Sequence, residues 1–135
     1  MARTPADILA DARTIALVGA SPNARRPSNS VMRYLMDAGY RVLPVRPHVR
    51  EIHGVPCVAS LTEIREPIDL VDVFRRADAC PDVAREAVEA GAKAVWLQLG
   101  LVSPEARRIA EAGGLEYVED ECTAIVHRYG VLSTP

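Results

Sequence analysis

Five short apolar runs, each separated from the next by a helical or loop segment, constrain this chain more than any other feature. They fall at residues 14–19, 41–45, 69–74, 92–97 and 115–118. The first, Thr14-Ile15-Ala16-Leu17-Val18-Gly19, is a short apolar run that marks a buried strand; the others read as strands of the same sheet. The stretches between them carry helix signals. Residues 6–12 form a short first helix. Ser28 is placed to cap a second, whose Val31, Tyr34, Leu35 and Ala38 share one face and whose end is marked by Gly39. Residues 81–90 begin with Pro and finish before Gly91, and Ser103-Pro104-Glu105 opens a helix that runs to Ala112. Residues 123–128 close the chain as a last helix. Residues 46–66 read as a loop with an extended piece at 56–59 and a helical turn from Ser60. The pattern predicts one Rossmann-like α/β domain: a mainly parallel five-stranded sheet with helices on both faces.

At 135 residues the chain holds one such domain, with its core at about 6–130, and leaves no room for a separate substrate half. The net charge of −2 excludes a general nucleic-acid footprint. No apolar run approaches the ~20 residues of a membrane span, and residues 1–13 lack the apolar centre of a signal peptide. Cys57, Cys80 and Cys122 are far apart and form no Cys-x-x-Cys pair, which argues against a disulfide framework or a zinc site and for a cytoplasmic protein. Of the 16 basic residues, only Lys93 is a lysine. That matters wherever phosphate is bound, because arginine presents a planar fork of donors.

In open parallel sheets, ligands sit at the carboxyl ends of the strands. The segments to interrogate are therefore 19–28, 46–48, 74–76, 98–100 and 119–122. The first joins strand to helix and is built as an anion site. Gly19 allows a tight turn; Ala20, Ser21, Pro22, Asn23 and Ser28 keep the loop small and polar; Arg25 and Arg26 add positive forks ahead of a helix N-terminus. It is not a dinucleotide fingerprint, since Ser21 and Ala24 stand where glycines are needed, and Walker A chemistry is absent. After Val45 the chain reads Arg46-Pro47-His48, where an NAD site would carry an acid for the ribose hydroxyls. A cation there suits a phosphate on the ribose, as in NADP or coenzyme A. Phe74-Arg75-Arg76 follows the third strand, and Gln98 and Gly100 follow the fourth. Arg25, Arg26, Arg46 and Arg75 are thus placed to converge from three loops.

These residues carry a family resemblance. Residues 15–23 with Arg26-Pro27-Ser28, residues 39–45, Ile52-His53-Gly54, the Asp-Val-Phe-Arg run at 72–75 and the Trp-Leu-Gln-Leu-Gly run at 96–100 resemble the small CoA-binding proteins. These in turn are similar to the N-terminal CoA-binding domain of the succinyl-CoA synthetase alpha chain. The resemblance spans about residues 6–130. It implies that residues 19–28 cradle phosphates, that residues 45–48 lie against the adenosine part, and that residues 74–76 line the pantetheine or adenosine side. The chain departs from the family pattern at Arg46, where Asn is usual, and at Glu121 and Val126, whereas Asp120, Cys122 and His127 match.

Catalytic groups are poorly supported. Cys122 and His127 are five residues apart, so a helix does not place them as i, i+4 partners. Glu119, Asp120 and Glu121 crowd the cysteine, the opposite of the electropositive setting of a reactive thiol. His48, His53 and His127 lack metal-ligand spacing. The resemblance also implies that the phosphorylated histidine of the synthetase belongs to a later domain, outside these 135 residues. The expectation is a CoA or acyl-CoA binding protein, non-catalytic or dependent on a partner, either a second copy or an acyl-CoA enzyme. The alternatives are an NADP-binding oxidoreductase-like domain and a regulatory subunit with a vestigial nucleotide pocket.

Overall fold

The computed structural model describes residues 3–132. Helix α1 (Pro5–Asp11) starts on a capping box in which Thr4 and Asp7 exchange side-chain and backbone hydrogen bonds. It leads into β1 (Thr14–Val18), α2 (Pro27–Asp37) and β2 (Arg41–Val45). Two short strands follow, β3 (Glu51–Ile52) and β4 (Val55–Pro56), then a 3₁₀ turn at Leu61–Glu63 and β5 (Leu70–Val73). A second 3₁₀ turn (Ala77–Ala79) leads into α3 (Cys80–Glu89), followed by β6 (Ala94–Leu97), α4 (Pro104–Ala112), β7 (Glu116–Val118) and α5 (Thr123–Val126).

The expected parallel five-stranded sheet is present, in the order β2-β1-β5-β6-β7. The chain steps one way from β1 to β2, then crosses back to β5 on the other side of β1, so the order reverses around β1. The strands also end level: Val18 pairs with Val45 and with Val73, and Val73 pairs with Leu97. The residues that follow them therefore emerge along a single edge.

Side-chain alternation divides the core into two layers. Ile15, Leu17 and Trp96 face one way, into a cluster with α1, α2 and the terminal helix. Ala16, Val18, Val71 and Val95 face the other way, against α3 and α4. Trp96, fully buried, keeps its indole N–H satisfied by donating to the Glu121 carbonyl at 2.8 Å.

Three local features differ from the sequence expectations. Ser28 is not the cap of α2: Arg26 holds that place, Pro27 is the first helical residue and Ser28 lies inside the helix, because proline suits the first turn better than it suits a loop. The loop after β2 contains the β3–β4 hairpin, turned by His53 and Gly54, both at positive φ. The extended piece expected at 56–59 is present, as β4 and a parallel bridge from Val58 to Val45. The closing helix runs as α only to Val126 and widens into a π segment at His127–Val131. The end of α2 is as expected: Gly39, at φ +102°, reverses the chain while the Tyr40 N–H donates to the Leu35 carbonyl at 3.1 Å.

Candidate functional site

A cavity of about 800 Å³ opens at the carboxyl edge of the sheet, beside the reversal point. That volume lies within the range of small-molecule and cofactor pockets. Five strand-end loops and the first turn of α2 meet there.

From the first loop, Gly19, Ser21, Arg26 and Ser28 line the cavity. Gly19 has φ +86°, and a Cβ built on it would stand 2.4 Å from the Phe74 carbonyl oxygen. The loop can approach the third strand's end only without a side chain. Ala20 is buried beneath the cavity, and its carbonyl accepts from Arg46 Nη1 at 3.1 Å. Pro22, Asn23 and Arg25 lie outside the lining. The reason is local: Asn23 Oδ1 accepts from the Arg25 N–H at 2.9 Å, and Ser21 Oγ accepts from the Asn23 N–H at 3.1 Å. These short polar side chains hold the loop itself. Asn29, which carries no signal in the sequence, completes the brace by donating to the Ser21 carbonyl at 2.9 Å.

Val45, Arg46, Pro47 and His48 all line the cavity, and His48 is held at φ +65°. Phe74 and Arg75 line it too, whereas Arg76 turns away, 3.4 Å from Asp78 in a solvent-exposed ion pair. Gln98 lines it and Gly100 does not. The Gly100 N–H instead donates to Asp120 Oδ1 at 2.8 Å, while the Asp120 N–H donates to the Leu101 carbonyl at 3.1 Å. Asp120, itself at φ +57°, thus laces the loop after β6 to the loop after β7. Arg26, Arg46 and Arg75 meet around one space, and Arg25 does not join them.

The rest of the wall is apolar; Leu99 and Cys122 fall in the segments the sequence marks, whereas Val31, Leu101 and Ile125 lie beyond the sequence expectations. Val31, Leu99, Leu101, Cys122 and Ile125 complete it, with Pro27. Leu99 and Ile125 are exposed at 65% and 52%, so they flank an open mouth. Leu99 has a signal in the motif at 96–100, but the contribution of α2 and α5 depends on how those helices dock. Cys122 and His127 are not brought together as a pair. Cys122 faces this cavity, whereas His127 lies by a smaller hollow at the amino ends of β1 and β2, where its Nδ1 is 2.9 Å from the Tyr34 hydroxyl. Among the described residues, no group of His, Cys, Asp and Glu could hold a metal.

Behind Gln98 lies a buried carboxyl that the sequence marks as a strand residue and as the start of the resemblance motif at 72–75, without naming its partners. Asp72 alternates with Val71 and Val73 on β5 and is fully buried. Gln98 Nε2 donates to its Oδ1, and the Thr123 hydroxyl donates to its Oδ2 at 2.9 Å. Burial pushes the Asp72 carboxyl up to about 7 against the opposing pull of these two donors, and no charged side chain is among the groups that shift it. The folded state therefore keeps a proton that the unfolded chain releases near pH ~4. This group's contribution is complete below that value and is lost as pH rises to about 7. Asp69 and Glu66, whose carboxyls are held below the usual range, act in the opposite sense. The difference between wild type and Asp72→Asn isolates the buried group. Urea unfolding from pH 4 to 8 is expected to show the wild type losing on the order of 3 kcal/mol relative to the variant across that window; parallel curves would contradict it.

Comparison with known proteins places this geometry. The CoA binding domain family matches residues 13–128. The uncharacterized protein YneT of Bacillus subtilis is 41% identical over 121 residues, covering 90% of each chain. A hypothetical protein from Pyrococcus horikoshii is 36% identical in structural alignment, with a TM-score of 0.91 over 96% of this chain and 93% of that one. An acetate–CoA ligase (ADP-forming) of Archaeoglobus fulgidus is 27% identical over 125 residues, which is 85% of this chain but 18% of the ligase. This larger relative is an acetate–CoA ligase, where the sequence resemblance points to succinyl-CoA synthetase. By the family match across most of its length, the chain belongs to the CoA binding domain family.

Proposed function

We propose that the cavity holds coenzyme A or an acyl-CoA, and that the protein presents this ligand rather than transforming it. The observation that carries the reading is the convergence of Arg26, Arg46 and Arg75, from three separate loops, on one cavity at the N-terminus of α2. Guanidinium forks are the donors that clustered phosphates need, and the positive end of the α2 dipole favours an anion there. In this reading Gly19, Ser21 and Ser28 bring backbone close to the phosphates. Val45, Pro47, His48 and Phe74 supply the surface for the adenosine part. The apolar wall takes the pantetheine arm and any acyl group. A partner that uses the ligand, either a second copy or an enzyme acting on acyl-CoA, would meet it at the mouth between Leu99 and Ile125. The acetate–CoA ligases support this, because the corresponding segment is a small part of each longer chain.

Calorimetry with CoA, acetyl-CoA, NADP and NAD tests the reading. CoA or acetyl-CoA is expected to bind more tightly than about millimolar, the −4 kcal/mol scale. NADP is expected to bind more weakly and NAD, with no ribose phosphate, weakest. Absence of CoA binding at millimolar concentration would overturn the proposal, and preference for NADP would favour the dinucleotide alternative.

A further inference from the structure

The cavity contains one polar side chain whose orientation is dictated from behind. Gln98 is 5% exposed and lines the cavity. Its Nε2 makes both of its hydrogen bonds into the protein, to Asp72 Oδ1 and, at 3.0 Å, to Thr123 Oγ1. Thr123 has one hydroxyl proton, and donates it to Asp72 Oδ2. Above about pH 7 Asp72 is ionised and only accepts, and the Thr123 oxygen, having given its proton away, accepts as well. Both groups therefore require N–H from Gln98, which turns its carbonyl oxygen the other way. Among the described residues nothing donates to that Oε1, yet no buried side-chain oxygen is left without a partner, so Oε1 is open to the cavity. Gln98 adjoins Leu99 in the chain, and its backbone N–H donates to the Val73 carbonyl at 3.3 Å, next to Phe74; all of these but Val73 line the cavity.

Resting on the CoA reading above, we propose that Gln98 Oε1 is the fixed acceptor for an amide N–H of the pantetheine arm, with Asp72 and Thr123 as positioning residues. The arm is the least polar part of CoA; besides one hydroxyl and, in free CoA, the thiol, its donors are two amide N–H groups, which need acceptors when they enter an apolar wall. An unpaired donor there would cost more than the bond itself is worth.

The test, run at pH 8 where Asp72 is ionised, compares CoA and acetyl-CoA with adenosine 3′,5′-bisphosphate, which keeps phosphates and adenosine but lacks the arm. Gln98→Met is expected to weaken CoA and acetyl-CoA roughly tenfold while leaving the bisphosphate within twofold. Asp72→Asn and Thr123→Val are expected to reduce the same selectivity, and Thr123→Ser to retain it. Selectivity is the readout because partial unfolding lowers both affinities together. Equal loss for the bisphosphate, or no loss for CoA, would overturn the assignment. Loss for CoA but not acetyl-CoA would also overturn it, by making the thiol the donor. If the wild type bound the bisphosphate but CoA no better, the arm assignment alone would fail. If it bound neither, the CoA reading would fall first.

Discussion

Gly19→Ala is expected to destabilise the protein by several kcal/mol and to abolish ligand binding in whatever fraction still folds. Two costs combine. The backbone at Gly19 has φ +86°, a region where an L side chain is strained by about 1–2 kcal/mol. The added Cβ would also stand 2.4 Å from the Phe74 carbonyl oxygen and 2.9 Å from its carbon. Both are backbone atoms at the end of a central strand, so neither can swing aside. The Gly19 N–H donates to the Val45 carbonyl at 3.1 Å, and the Phe74 N–H donates to the Val18 carbonyl at 2.8 Å. Any shift that makes room for a methyl therefore disturbs three strand ends at once. Gly39→Ala is the control. Gly39 also has positive φ, at +102°, but nothing lies within 4 Å of its Cβ position. Denaturant unfolding of the two variants is expected to show the Gly39 change costing only about 1–2 kcal/mol. Equal losses would show that backbone conformation alone, and not the close approach to Phe74, makes Gly19 necessary.

The second large effect distinguishes neighbouring arginines. Arg26→Ala combined with Arg75→Ala is expected to weaken CoA binding by a hundredfold or more, since hydrogen bonds to charged groups are worth about 1.5–3 kcal/mol each. Arg25→Ala combined with Arg76→Ala removes the same charge from the adjacent positions and is expected to change affinity by less than about fivefold, through screened long-range attraction alone. The structural difference is definite: Arg26 and Arg75 line the cavity, and Arg25 and Arg76 do not. Calorimetry at two salt concentrations checks both pairs. Equal losses would mean that the cavity draws phosphate by its general field, with no placed contact.

That pairing shows where the sequence is sufficient and where it is not. The strand runs, the Pro and Gly that bracket the helices, and the loops between them are legible because strand burial and helix termination are local properties. The carboxyl-end location follows from topology, and the residues at 19, 46, 74 and 98 emerge together because the parallel strands end level. Which of two adjacent arginines turns inward is not legible. At 25–26 the choice depends on the turns that Ser21 and Asn23 impose on the loop, and at 75–76 on the 3₁₀ turn that follows Arg76.

The sequence by itself therefore determined the layered parallel sheet, the edge at which a ligand would bind and the basic chemistry of its loops, all of which follow from residue type and short-range spacing. Only the tertiary structure decided the rest of the site. The apolar wall needed α2 and α5 docked beside the loop after β6. The Asp72–Gln98–Thr123 ring needed three residues, up to 51 positions apart, to meet in the core. A buried carboxyl among valines has no local signature, because its partners are chosen by the packing of elements distant in the chain.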